Sequence, residues 1–140
     1  MSRESEKVPG SSTYDIHIEI EVKAPPTKVY EAWLDSGTHT EMLGRPVRIS
    51  SQVGATFDRG GVHTGVIVEL VPGKRIVEAS SHSSFLQGDY SLVTLTFEPQ
   101  GEYTKIILDH KGIPLYFRGH MEKGWGEFYL PKVQAYFARK

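Results

Sequence analysis

From Tyr14 the chain alternates strictly, with Ile16, Ile18, Ile20 and Val22 at one parity and His17, Glu19, Glu21 and Lys23 at the other. A period of two predicts a strand with one face buried. Pro25 and Pro26 end it and suit the first turn of a helix, where a missing N–H costs nothing. Val29, Ala32 and Trp33 then recur at i, i+3 and i+4, predicting a helix to about residue 34. Residues 35–43 predict a second short helix, closed by Gly44 and Pro46. Strand patterns follow over 47–51, 55–59, 62–70, 75–81, 90–98 and 103–110. Gly60-Gly61 reads as a hairpin turn. Pro72-Gly73 places Pro and Gly where a type II turn needs them, and Pro99-Gln100-Gly101-Glu102 closes a further hairpin. In that last pair Val93, Leu95 and Phe97 share one face, and Ile106, Leu108 and His110 the facing one.

Beyond about residue 118 the spacing becomes helical. Met121, Trp125 and Phe128 fall on one stripe and Leu130, Val133 and Phe137 on an adjoining one, the broad apolar face of a helix packed on a sheet. Roughly 18 residues make a helix about 27 Å long, and Pro131 predicts a kink or break within it. The element order therefore predicts an α+β fold: a curved antiparallel sheet, two short helices after its first strand, and a long C-terminal helix laid across one face. Residues 13–140 are expected to form one domain. Residues 1–12 are polar and aperiodic and are expected to be a flexible tail.

Composition narrows the chemistry. The 140 residues include no cysteine, which excludes disulfides, a thiolate nucleophile and a Cys-ligated zinc site. Sixteen Lys and Arg against 17 Asp and Glu give a formal charge of −1, so no basic field recruits nucleic acid. No apolar run approaches the 18 or so residues of a membrane span, and the N-terminus lacks the apolar core of a secretory signal. A soluble, cytoplasmic protein is expected, as a monomer or weak homodimer. The six histidines show neither HxH nor HExxH spacing, and the carboxylates are scattered among exposed parities, so neither metal nor cofactor is expected. The serines around His82 lack a GxSxG elbow and read as a polar strand end. His110 has inward parity near a strand end. It reads either as a core-edge histidine held by a backbone carbonyl or as a group orienting a ligand in an apolar pocket. Trp33, Trp125, Phe128 and Tyr129 are likewise core or ligand contacts, and Arg118 is a solvated charge or a guard at a cavity mouth.

The stretches VGATFDRGGVHTGVIVELVPGKRIVEA, GDYSLVTLTFEP, YTKIILDHKGIP and HMEKGWGEFYLPKVQAYF, with the opening IEIEVKAPPTKVYEAW, are similar to the activator-of-heat-shock-protein-90-ATPase homologue family. That family lies within the START-like helix-grip (SRPBCC) superfamily, and the resemblance covers about residues 14–137. It implies a seven-stranded antiparallel sheet gripping the C-terminal helix, often with a cavity between them. Val93, Leu95, Phe97, Ile106, Leu108, His110, Trp125 and Phe128 are the positions expected to face that space. Trp33, Phe57, Phe85, Tyr90, Arg118 and Tyr129 complete the expected lining, with His110, Tyr90 or Arg118 orienting the ligand. No catalytic set is shared across the family, so none is carried over. Relatives often carry a tryptophan on the strand after the Pro-Gly turn. Here Glu78-Ala79-Ser80-Ser81-His82 stands there, with only Phe85 as an aromatic nearby, which is expected to enlarge or open one end of the cavity.

Three functions follow from the resemblance. The first is binding of a small apolar or aromatic molecule between sheet and helix. The second is regulation of a chaperone ATPase through a protein surface. Relatives with that activity pair this domain with a second one that the present sequence does not show, so ligand binding ranks first. The third is a polyketide cyclase or dehydratase activity, which would rest on His110 alone.

Overall fold

In a computed structural model, residues 12–117 and 119–139 are described. Strand β1 (Thr13–Val22) leads to helices α1 (Pro26–Leu34) and α2 (Ser36–Leu43). Strands β2 (Val47–Arg48), β3 (Thr56–Arg59), β4 (His63–Val71), β5 (Arg75–His82), β6 (Ser91–Gln100) and β7 (Tyr103–Pro114) follow. They form one sheet in the order β1-β7-β6-β5-β4-β3-β2, with every neighbouring pair antiparallel. A short 3₁₀ turn (Leu115–Phe117) precedes the C-terminal helical segment. The expected tail, 1–12, lies outside the described residues except for Ser12, whose carbonyl accepts the Leu115 N–H at 3.1 Å.

Alternation works as expected on most strands. Phe57, Ile67, Ile76, Val93, Leu95, Phe97, Ile106 and Leu108 are buried and form the core with Val29, Trp33 and Leu34 of α1. Asp35 caps α2 by accepting the Thr38 N–H at 2.8 Å, and Gly44 ends it in the left-handed region at φ 78°. Two strand lengths differ from the sequence pattern by three residues or more. β2 stops at Arg48 because the next backbone groups bond to helix α2: Ser36 Oγ accepts the Ile49 N–H at 2.9 Å and donates to its carbonyl at 2.8 Å. β7 continues to Pro114 because β1 pairs with it as far as Thr13↔Pro114 across a register shift. Asp15 Oδ1 accepts the Gly112 N–H at 3.0 Å there.

The C-terminal helix corrects a second expectation. It comprises α3 (His120–Lys123), a π-helical turn (Gly124–Tyr129) and α4 (Leu130–Ala138), with Pro131 in the first turn of α4. Proline lacks an N–H, and its ring collides with the carbonyl four residues back. The wide turn just upstream relieves this: the Leu130 N–H bonds to the Trp125 carbonyl, five residues back. The extra residue shifts the phase of the helix. Met121, Trp125 and Tyr129 are buried before the reset and Leu130, Val133 and Phe137 after it. Phe128, which regular spacing puts on the inner stripe, is turned outward and is 62% exposed.

Gly65 on β4 has no room for a side chain. A Cβ there would lie 2.0 Å from the Ala79 carbonyl oxygen and 2.9 Å from the Phe57 ring. Gly65→Ala is expected to lower stability in urea by about 2–3 kcal/mol through overpacking. At Gly126 a Cβ meets open space, so Gly126→Ala should leave stability within about 1 kcal/mol of the parent.

Candidate functional site

Arg59 at the end of β3 and Glu78 in β5 are both fully buried and form an ion pair, with Arg59 Nη1 at 3.0 Å from each carboxylate oxygen. Trp33 Nε1 donates to Glu78 Oε2 at 3.0 Å. The guanidinium carbon lies 4.6 Å from the Phe57 ring centre, 5.5 Å from Trp33, 5.7 Å from Tyr129 and 6.0 Å from Trp125. Burying either charge alone would be prohibitive, and pairing with added hydrogen bonds makes it tolerable. Glu78 corrects the expectation that the carboxylates lie at exposed parities. It shares a face with buried Ile76 and Ser80, as Arg59 does with buried Phe57, so strand parity already pointed both inward.

Two buried histidines complete the polar interior. His39 Nδ1 lies 2.6 Å from the Trp33 carbonyl, which can only accept, so Nδ1 carries the proton. His39 Nε2 therefore accepts from the Tyr129 hydroxyl. His110 has the opposite tautomer: its Nδ1 accepts from Trp125 Nε1 at 2.9 Å, and Nε2 donates to Ser91 Oγ at 2.6 Å. Its partners are thus side chains, not the backbone carbonyl weighed from sequence. Burial, reinforced by the Arg59 charge, pulls each histidine down to about 3. Burial likewise holds His63 well below the usual range and raises the Tyr129 phenol.

A cavity of about 450 Å³ opens beside this cluster. Arg59, Val62 and His63 of the β3–β4 hairpin form one wall, with His82 from the end of β5 and Leu43, Gly44 and Arg45 from the end of α2. The C-terminal helix supplies Met121, Gly124, Trp125, Phe128, Tyr129 and Lys132. Of the residues expected from sequence, Trp125, Phe128 and Tyr129 stand on this wall. Trp33, Phe57, Val93, Leu95, Phe97, Ile106, Leu108 and His110 lie in the packed core, where they fill the space between sheet and helix. Phe85 is half-buried against Phe117 and His82, and Tyr90 is 58% exposed. Arg118 is outside the described residues. Of the segment 78–82, only His82 reaches the cavity, while Glu78 is paired with Arg59 and the Ser80 carbonyl accepts from Ser91 Oγ.

The helix-borne wall residues were within reach of the sequence, since 121, 125, 128 and 132 follow helical spacing. Nothing local indicated which hairpin would face them. Among the described residues no group of three His, Asp or Glu converges to hold a metal ion, and no helix is long and apolar enough to cross a membrane.

A seven-stranded antiparallel sheet wrapped on a C-terminal helix, with two short helices after the first strand, defines a helix-grip, START-like protein. Within that class the chain belongs to the family described as Activator of Hsp90 ATPase homolog 1-like protein, whose model matches residues 23–138. It is 24% identical over 113 residues to the human activator of 90 kDa heat shock protein ATPase homolog 1, covering 80% of this chain and 33% of that protein. The chain thus spans about a third of the length of that curated relative. A crystal structure of an Hsp90 activator from Plasmodium falciparum superposes with a TM-score of 0.80 at 25% identity, covering 89% of this chain and 96% of that one. The solution structure of the Aha1 dimer from Colwellia psychrerythraea has the same fold, with a TM-score of 0.76 at 18% identity and 89% and 96% coverage.

The buried neutral histidines make the fold sensitive to acid. Their native pKa values lie below the value of 6.5 expected when unfolded, so between the two the unfolded chain binds more protons. Stability is therefore complete above about pH 6.5 and falls as pH drops toward the native values. Each histidine should contribute about 1.4 kcal/mol per pH unit in that window. In His110→Gln the slope of unfolding free energy against pH, measured in urea between about pH 6 and pH 4, should be shallower by about one proton's worth.

Proposed function

We propose that this domain binds a small apolar or aromatic molecule in the cavity between the β3–β4 hairpin, the end of β5 and the C-terminal helix. The observation that carries this is the cavity itself. Its volume is within the range of small-molecule sites, and its wall combines Trp125, Phe128, Tyr129 and Met121 with a few convergent polar groups. Phe128 adds weight, because the π turn displays a large aromatic side chain at the cavity instead of burying it. His110, the acid–base candidate, is committed to Ser91 and Trp125 and does not reach the cavity wall. Carriage or sensing of a ligand is accordingly the activity proposed, rather than turnover.

An amide NMR titration with the neutral probe 2-naphthylacetamide tests this. Saturable shifts are expected at residues 43–45, 62–63 and 121–132, and Phe128→Asp should weaken binding about tenfold or more while leaving the fold intact. No saturable shifts, or shifts confined to another face, would overturn the assignment.

A second role, regulation of a chaperone ATPase through a protein surface, is supported by family membership. It is supported further by the Plasmodium falciparum Hsp90 activator, 96% of which aligns with this chain. Under this role, excess protein added to Hsp90 should raise its steady-state ATP turnover. An unchanged rate over a full concentration series, with a known activator as positive control, would rule it out.

A further inference from the structure

Three buried side-chain nitrogens have no hydrogen-bond partner among the described residues: Arg59 Nε, Arg59 Nη2 and His63 Nδ1. All three belong to residues of the cavity wall, and Arg59 and His63 are register partners across the β3–β4 hairpin. Buried polar atoms left without partners carry their full desolvation cost, so they are rare in folded proteins and need a reason. Both residues stand on the wall of the same cavity, and their unpartnered atoms are buried in that wall.

The geometry of the guanidinium indicates what that wall would accept. Glu78 engages only Nη1. Nε and Nη2 form the other edge of the fork, with two N–H groups lying roughly parallel, and the two oxygens of a carboxylate match that edge. The surrounding charge agrees. The wall carries Arg45, Arg59 and Lys132 and no Asp or Glu. Arg45 and Lys132 are exposed, at the solvent end, and Arg59 is fully buried, at the inner end. Trp125, Tyr129 and Phe128 lie along the same wall as an apolar surface.

We propose that the cavity selects molecules joining an aromatic body to a carboxylate, with the carboxylate on Nε and Nη2 of Arg59 beside His63 and the body against Trp125, Tyr129 and Phe128. This rests on the cavity being the ligand site proposed above, and it adds the class of ligand. Charge-assisted hydrogen bonds at the buried end of a cavity are the strongest polar contacts it can offer.

The test compares 2-naphthylacetate with its neutral isostere 2-naphthylacetamide at pH 7.5, by calorimetry and by the Arg59 Nε–H resonance in NMR. The acid is expected to bind at least tenfold more tightly and to shift that resonance, which the amide leaves nearly unmoved. Lys132→Ala, at an exposed position, should cost the acid roughly twofold to threefold and the amide nothing. Arg59→Met alone would strand the Glu78 charge and endanger the fold, so the two are exchanged together as Arg59→Met with Glu78→Leu. In that variant the preference for the acid should vanish while the amide still binds. If the amide saturates in the cavity and the acid is no tighter, the carboxylate assignment is wrong and cavity binding stands. If neither probe saturates, both fail. A preference that survives the paired exchange places the carboxylate elsewhere and overturns the proposal. Should the paired variant not fold, an Arg59 Nε–H resonance unmoved by saturating acid does the same.

Discussion

The ion pair between Arg59 and Glu78 is the constraint on which the rest of the interior depends. Neither charge could be buried alone, so the two strands that carry them, β3 and β5, must meet around β4 with both side chains on the concave face. Glu78 then orients Trp33 of α1 through the indole N–H, and the guanidinium gathers Phe57, Trp125 and Tyr129. One pair of charges thereby ties the first helix, the sheet and the last helix together. Buried ion pairs seldom stabilise more than an apolar pair of equal volume, whereas breaking one costs about 3–5 kcal/mol. A register of sheet or helix that separated the two would leave an uncompensated buried charge.

The histidines extend that polar interior without adding charge. His39 and His110 hold opposite tautomers because one faces a carbonyl at Nδ1 and the other an indole N–H. Between them they fix Tyr129 and Trp125, the two rings that the π turn directs inward. The cavity is therefore walled on one side by aromatic rings whose polar edges are already satisfied. Rings held this way lose little freedom when a ligand packs on them, which favours binding by preorganisation.

Family membership and the cavity bear on different surfaces. The match over residues 23–138 covers the scaffold, and a scaffold of this kind can serve a protein surface, an internal ligand or both. The human relative is about three times the length that aligns here, so activities of the whole protein belong to this chain only as proposals.

Much of the architecture was legible in the chain. Period-two patterning found all seven strands, the Pro-Gly and Gly-Gly turns separated them, and helical spacing after residue 118 found the closing helix. Misjudged positions were those where a remote partner decided the outcome. β2 ended early because Ser36 captured the Ile49 backbone, and Phe128 faced outward because a π turn accommodated Pro131. The expected lining proved mostly to be core, since parity tells which face a residue takes but not whether the space before it is filled. Arg59 and Glu78 had inward parity in plain view, yet a charge at such a position reads as buried only when its counterpart is known. That counterpart is 19 residues away along the chain. Sequence alone thus determined the order and type of the elements and the inward faces of the strands, because these follow from local periodicity. Tertiary structure alone decided where the cavity lies and which polar groups border it, because both depend on side chains from four separate segments meeting in space.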